Sequence, residues 1–89
     1  MIADVRFTPG SDADAERGLL GYVQLRYGPL HLDGITLRRT MSGSLTLSWP
    51  GRRDRTGAHH ALVRPITDAA RKELEAAVFE ELRRQEGQG

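Results

Sequence analysis

The stretch of sequence that determines the fold is residues 19–37, LLGYVQLRYGPLHLDGITL. Apolar and polar residues alternate on both sides of Gly28-Pro29, as they do in half-buried β-strands. The two residues Gly28-Pro29 give a spacing suited to a hairpin. We therefore expect two neighbouring antiparallel strands, one over residues 19–27 and one over residues 30–37.

Two glycines interrupt this alternation. Gly21 lies inside the first strand, where a glycine suggests a bulge or a close backbone approach. The apolar phase of the second strand slips across Asp33-Gly34, and a glycine bulge would absorb that slip. Alternating residues elsewhere predict further strands over 2–8, 45–49 and 58–64, with a basic loop over 50–57. The short connections favour a meander.

The last third of the chain has helical spacing instead. Thr67 is placed to act as the N-cap, Asp68 falls in the first turn, and a proline stands just upstream. The helix is expected to end at about residue 84 or 85. The predicted fold class is therefore α+β: an antiparallel meander of four to five strands followed by a C-terminal amphipathic helix. We expect one domain over residues 1–86 and a flexible tail over 87–89.

Size and composition restrict the function classes. The chain has 89 residues, a mass of 9.9 kDa and no cysteine, which excludes a disulfide framework and a thiolate metal site. So small a domain buries little surface on folding, and a homodimer would supply additional burial. The sequence lacks a signal-peptide pattern and an apolar run long enough to cross a bilayer. We expect a cytoplasmic protein with no membrane partner.

The net charge of +1 conceals an uneven distribution. Residues 1–37 sum to −2, residues 38–64 to +5 and residues 65–89 to −2. A loop arginine cluster beside Trp49 suits phosphate contact with base stacking. The candidate nucleic-acid-binding residues are Arg38, Arg39, Arg52, Arg53, Arg55 and Arg71.

Two other interpretations of these residues stay open. Arginine outnumbers lysine by 12 to 1, so the basic segment is also compatible with a solvated loop in a chain that uses arginine in place of lysine. Trp49 shares the apolar phase of Leu45 and Leu47, which favours a core or dimer-interface position over a stacking platform.

The sequence contains no recognisable catalytic or metal-binding motif. His59 and His60 are adjacent and would point to opposite faces of a strand, so they cannot chelate one ion together. His31 and Asp33 could form a small polar cluster, but no serine lies in a Gly-x-Ser-x-Gly motif. We expect no enzymatic activity, no metal, no cofactor and no small-molecule substrate.

The order of motifs resembles the bacterial stage V sporulation protein G (SpoVG) family, also called putative septation proteins. The residues concerned are Asp4-Val5-Arg6, the stretch 30–37, the stretch 45–53 and Arg64-Pro65-Ile66, followed by Arg71 with the start of the helix. In the family a glycine turn and an apolar strand precede Met-Pro, a small residue and two basic residues. Here Trp49 stands in place of the methionine, and Arg64 in place of a histidine.

The resemblance implies a homodimer formed through the β-sheet that binds DNA at specific sites, and in some members RNA. It assigns the family's basic pair to Arg52 and Arg53 and its helix-start base to Arg71. The implied role is regulation of septum formation, sporulation and gene expression. The alternative is a protein-interaction module of the division machinery, for which the acidic helix residues Glu73, Glu80 and Glu81 would matter more.

Overall fold

Six strands and two helices make up the part of the chain that the structure, a computed structural model, describes, namely residues 2–88. In chain order the elements are β1 (Ile2–Pro9), α1 (Asp12–Glu16), β2 (Leu19–Tyr27), β3 (Leu30–Arg39), β4 (Leu45–Ser48), β5 (Gly51–Arg53), β6 (His59–Ala61) and α2 (Asp68–Gln88). The first four strands form an antiparallel meander in the order β1-β2-β3-β4. The predicted α+β class is confirmed.

The central hairpin has the predicted geometry. Tyr27 pairs with Leu30 across the two-residue turn, and Gly28 takes the positive φ of 57° that this tight turn requires. The β2–β3 register shifts at both predicted places, between Leu19 and Gly21 and again beside Gly34, whose φ is 80°. Both glycine bulges are therefore confirmed.

One face of the four-stranded sheet contacts α2 and forms the core. The buried apolar side chains are Val5, Val23, Leu25, Ile35, Leu37 and Leu47 from the sheet and Val78 from the helix. Cross-strand pairing places Thr8, Tyr22, Thr36 and Ser48 in one row on the opposite face. Thr8, Tyr22 and Ser48 of that row are exposed, and within residues 2–88 no helix or strand covers it as a second layer.

Helix α2 begins as predicted and ends later than predicted. Thr67 Oγ1 accepts a hydrogen bond of 3.0 Å from Ala70 N, which confirms the N-cap. The helix continues to Gln88, past the expected end at residue 84 or 85, because residues 85–88 include no proline and Gly87 weakens a helix without breaking it. Residues 87 and 88 of the predicted tail are therefore helical, while Gly89 lies outside the described residues.

A short helix lies where the sequence predicts none, and a second sheet lies where a loop is expected. Residues 10–18 after β1 contain helix α1, which Ser11 and Asp14 start by a reciprocal capping box. The expected loop over 50–57 contains strand β5, and the expected strand over 58–64 shortens to β6; the two pair as a separate two-stranded sheet. Neither helix within residues 2–88 has the length and apolar character needed to cross a bilayer.

Candidate nucleic-acid interface

The β5–β6 hairpin, residues 51–61, is called the arginine ribbon below. Arg52 pairs with His60 and Arg53 pairs with His59. Because cross-strand partners share a face and neighbours alternate, Arg52 and His60 lie on one face of the ribbon, and Arg53 and His59 lie on the other. Every residue of the ribbon is exposed, so both faces are accessible to a ligand.

Asp54 closes the turn of the ribbon. Its Oδ1 accepts hydrogen bonds from Thr56 N at 2.9 Å, Thr56 Oγ1 at 2.6 Å and Ala58 N at 3.0 Å. Its Oδ2 lies 2.7 Å from His60 Nε2. The Thr56 hydroxyl, and after it the His60 ring, lower the pKa of Asp54 from 3.8 to about 2. Asp54, the acidic residue of the basic segment, therefore has its carboxylate hydrogen-bonded within the turn.

Ion pairing distinguishes the basic residues of α2 from those of the segment 38–64. All four bases of α2 have carboxylate partners: Arg71 with Asp68 and Glu75, Lys72 with Asp68, Arg83 with Glu80, and Arg84 with Glu81. None of the six arginines between residues 38 and 64 has such a partner within residues 2–88. The +5 segment consequently presents its charge to solvent, whereas the helix largely neutralises its own.

Arg38 and Arg39 lie away from the ribbon. They pair with Thr46 and Leu45 at the start of β4, while the ribbon follows the other end of that strand. The fold therefore brings Arg52, Arg53 and Arg55 together and leaves Arg38 and Arg39 as a second, distant pair.

Arg71, a candidate by its position at the helix start, belongs to a structural network. Its guanidinium donates to Asp68 Oδ1 through Nη2 at 2.7 Å and to Glu75 Oε1 through Nη1 at 3.0 Å. Asp68 beside it, and then Glu75, raise the pKa of Arg71. The structure places this arginine between two carboxylates of its own helix and apart from the unpaired arginines.

Glu75 connects the Arg71 network to the sheet. It was not among the residues predicted from the sequence. It is only 8% exposed, and its Oε2 accepts from both Leu47 N and Thr46 Oγ1 at 3.0 Å. The sequence signal was its position four residues after Arg71, which favours an ion pair on a helix. The partner strand β4 could not be identified from that spacing.

Trp49 packs against the core cluster. Its indole Nε1 is buried and has no hydrogen-bond acceptor within the described residues. Trp49 is thus partly buried against the core, which favours a packing role over an open platform for a nucleic-acid base. Its place in a dimer interface stays a prediction.

The remaining polar candidates do not assemble into a site. Asp33 Oδ1 accepts from Gly34 N at 2.7 Å, within the bulge, and His60 is bound to Asp54. Over residues 2–88, no cluster of three or more histidine, aspartate or glutamate side chains is arranged to hold a metal ion.

An open cleft of about 700 Å³ lies between the C-terminal half of α2 and one end of the sheet. Its apolar lining comes from Phe7, Leu20, Leu37, Leu45, Phe79 and Leu82. Arg39 and Arg83 lie at its rim together with Glu86. Charged residues of both signs line the rim, so the cleft has no clear preference for a charged ligand.

Comparison with known proteins identified no relative of this chain. No protein-family model, no curated protein and no solved structure matches the chain. The resemblance to the SpoVG family stays a prediction from the motifs.

Proposed function

We propose that this chain is a SpoVG-like regulatory protein that binds DNA, and in some settings RNA, through the arginine ribbon. The observation that supports the proposal is the group of unpaired, exposed arginines Arg52, Arg53 and Arg55 on one protruding hairpin. Guanidinium groups bind phosphate oxygens in a bidentate manner and remain charged at any physiological pH. The role in septum formation, sporulation or gene expression rests on the resemblance alone, and the cytoplasmic location stays an expectation from the sequence.

A fluorescence-anisotropy titration with duplex DNA, repeated at several salt concentrations, tests the proposal. The variant Arg52→Ala/Arg53→Ala should bind more weakly. Its slope of log K against log salt should be shallower by at least about 0.9, since each lost phosphate contact removes about 0.9. Unchanged affinity and slope would rule out the ribbon as the interface.

The matched control is Arg83→Ala/Arg84→Ala. It removes the same charge from two adjacent arginines, but these are ion-paired on α2. We expect this variant to keep the affinity and the salt slope of the natural chain. An equal loss in both variants would mean that only net charge matters, and the ribbon would have no special role.

We also propose that the protein is a homodimer that associates through its sheet. Strands β1 and β4 are the two edges of the meander, and neither has a second strand partner within residues 2–88. A two-fold axis would present two arginine ribbons to one nucleic acid. Sedimentation equilibrium should give a mass of two chains, and a single-chain mass at all concentrations would contradict the dimer.

The alternative is a protein-interaction module without nucleic-acid binding. The apolar cleft beside Phe79 and Leu82 favours it, because protein interfaces have apolar centres. The acidic residues Glu80 and Glu81, in contrast, are paired with Arg83 and Arg84. Absence of binding to duplex DNA at low salt would favour this second function. That the protein is not an enzyme stays a prediction, which generic esterase and phosphatase substrates can test.

A further inference from the structure

The arginine ribbon has no role in the hydrophobic core. Its paired residues are Gly51, Arg52 and Arg53 on β5 and His59, His60 and Ala61 on β6, and all are exposed. A two-stranded hairpin of this kind is at best marginally stable in water on its own. Packing therefore does not explain why this segment is ordered.

Polar hydrogen bonds hold the ribbon in place instead. Asp54 N donates to Ala58 O at 3.0 Å, in addition to the side-chain bonds of Asp54 within the turn. At the base, Leu62 N donates to Pro50 O at 2.9 Å. The ribbon has its shape before any ligand binds, which lowers the entropy cost of binding.

The width of the ribbon favours B-form DNA over A-form RNA as its ligand. Two antiparallel strands lie about 4.8 Å apart, and the major groove of B-form DNA, about 12 Å wide, admits a two-stranded ribbon with its side chains. The major groove of A-form RNA is deep and too narrow for side chains to read. We propose, resting on the nucleic-acid-binding function above, that the ribbon inserts into the major groove of B-form DNA.

The two faces of the ribbon differ in what they offer to base edges. The face with Arg52 and His60 also holds the Asp54 carboxylate, which lies against His60. On the other face, Arg53 Nη1 donates to Gly57 O at 2.9 Å, which fixes its guanidinium. Four of its five N–H donors stay available, enough for a bidentate contact to O6 and N7 of guanine.

Each arginine of the ribbon therefore has a distinct role. Arg53 contacts guanine, with His59 beside it on the face directed to the groove floor. Arg52 lies on the opposite face and Arg55 at the tip of the turn, where phosphate is the available partner. Loss of Arg53 should reduce discrimination among bases, whereas loss of Arg52 should weaken binding to all sequences alike.

The experiment compares four forms of one ligand, the tightest-binding duplex recovered from a random DNA pool. The forms are the DNA duplex, the RNA duplex of the same sequence, the separate DNA strands, and the DNA duplex with 7-deazaguanine in place of guanine. We expect the DNA duplex to bind at least about tenfold more tightly than the RNA duplex. The 7-deazaguanine duplex lacks the N7 acceptor but keeps O6, so it loses one of the two hydrogen bonds of the bidentate contact and should bind roughly 2- to 12-fold more weakly.

Two variants assign the guanine contact to one face. In Arg53→Ala the difference between guanine and 7-deazaguanine duplexes should disappear. In Arg52→Ala, the matched control with the same loss of charge, the difference should persist while the salt slope falls by about 0.9. Circular dichroism establishes that both variants are folded.

The outcomes separate this proposal from the one on which it rests. Equal affinity for duplex DNA and duplex RNA, or tightest binding to single strands, would overturn groove insertion while leaving nucleic-acid binding intact. Equal affinity of the natural chain for guanine and 7-deazaguanine duplexes would overturn the Arg53 contact. Absence of binding to all four forms would overturn the proposed function itself and groove insertion with it.

Discussion

At the scale of single residues, Glu75 connects α2 to the sheet. Its carboxylate accepts from the backbone of Leu47 and from the Arg71 guanidinium. In Glu75→Ala the buried Leu47 N–H loses its acceptor, so we expect the free energy of unfolding to fall by about 1–3 kcal/mol. Urea denaturation followed by circular dichroism measures the change. Glu73→Ala, an exposed glutamate of the same helix, is the control and should alter stability by less than about 0.5 kcal/mol.

Gly21 permits a close approach of β1 to β2. A Cβ at this position would overlap the Phe7 ring and the Thr8 carbonyl oxygen. Gly21→Ala should therefore destabilise the protein by about 1–3 kcal/mol, as overpacking does. Gly87→Ala is the matched control, since no atom lies within 4 Å of its added Cβ. Alanine favours helix, so the control should be neutral or stabilising in the same thermal melt, and a similar loss in both variants would contradict the packing argument.

At the scale of elements, the sequence predicted the features that depend on neighbouring residues. Gly21 and Gly34 indicated bulges because a glycine interrupts an alternating strand, and Thr67 indicated a helix start because its hydroxyl serves the first turn. These features depend on the residue itself and a few neighbours. Their positions could be predicted without any knowledge of the tertiary structure.

The arginine ribbon and the Glu75 contact could not be predicted in the same way. Asp54 stands in a stretch rich in glycine and arginine, without the apolar alternation that marks a strand. The Asp54 carboxylate between the two strands accepts hydrogen bonds from the backbone amides of Thr56 and Ala58, an arrangement that the sequence pattern does not indicate. Glu75 meets Leu47 across 28 positions of the chain, and no local pattern specifies which strand a helical carboxylate will contact.

The turn of the ribbon should be sensitive to acid. The pKa of Asp54 falls from 3.8 to about 2 on folding, so its contribution to stability is complete above about pH 4. That contribution is lost as the pH falls toward 2, because protonation removes the acceptor charge. The amide proton shifts of Thr56 and Ala58, followed by NMR, should titrate with a midpoint near pH 2. Asp54→Asn should abolish that titration, whereas Asp12→Asn on α1 should leave it unchanged; a midpoint near 4 would contradict the turn geometry.

At the scale of the whole molecule, side chains of α2 bind one backbone group on each edge strand of the sheet. Near one end the helix uses Glu75 to occupy the Leu47 N–H on edge strand β4. Near the other end Gln85 Nε2 donates to Val5 O on edge strand β1 at 2.7 Å. Side-chain caps of this kind limit uncontrolled pairing of exposed edges. Each edge loses only one backbone group to the helix, so pairing with a second copy is restricted to the uncapped positions.

If the proposed homodimer forms, its interface would add to the small core of each chain. Among the residues that the structure describes, seven apolar side chains are buried, a small number for a chain without cysteine. If folding and dimerisation are coupled, stability rises with protein concentration. A hundredfold increase in concentration should then raise the melting temperature by roughly 5–10 °C. Thermal melts at the two concentrations, with the mass of the species measured by sedimentation, check this. A melting temperature independent of concentration would mean that the isolated chain is stable on its own core and that any dimer forms only after folding.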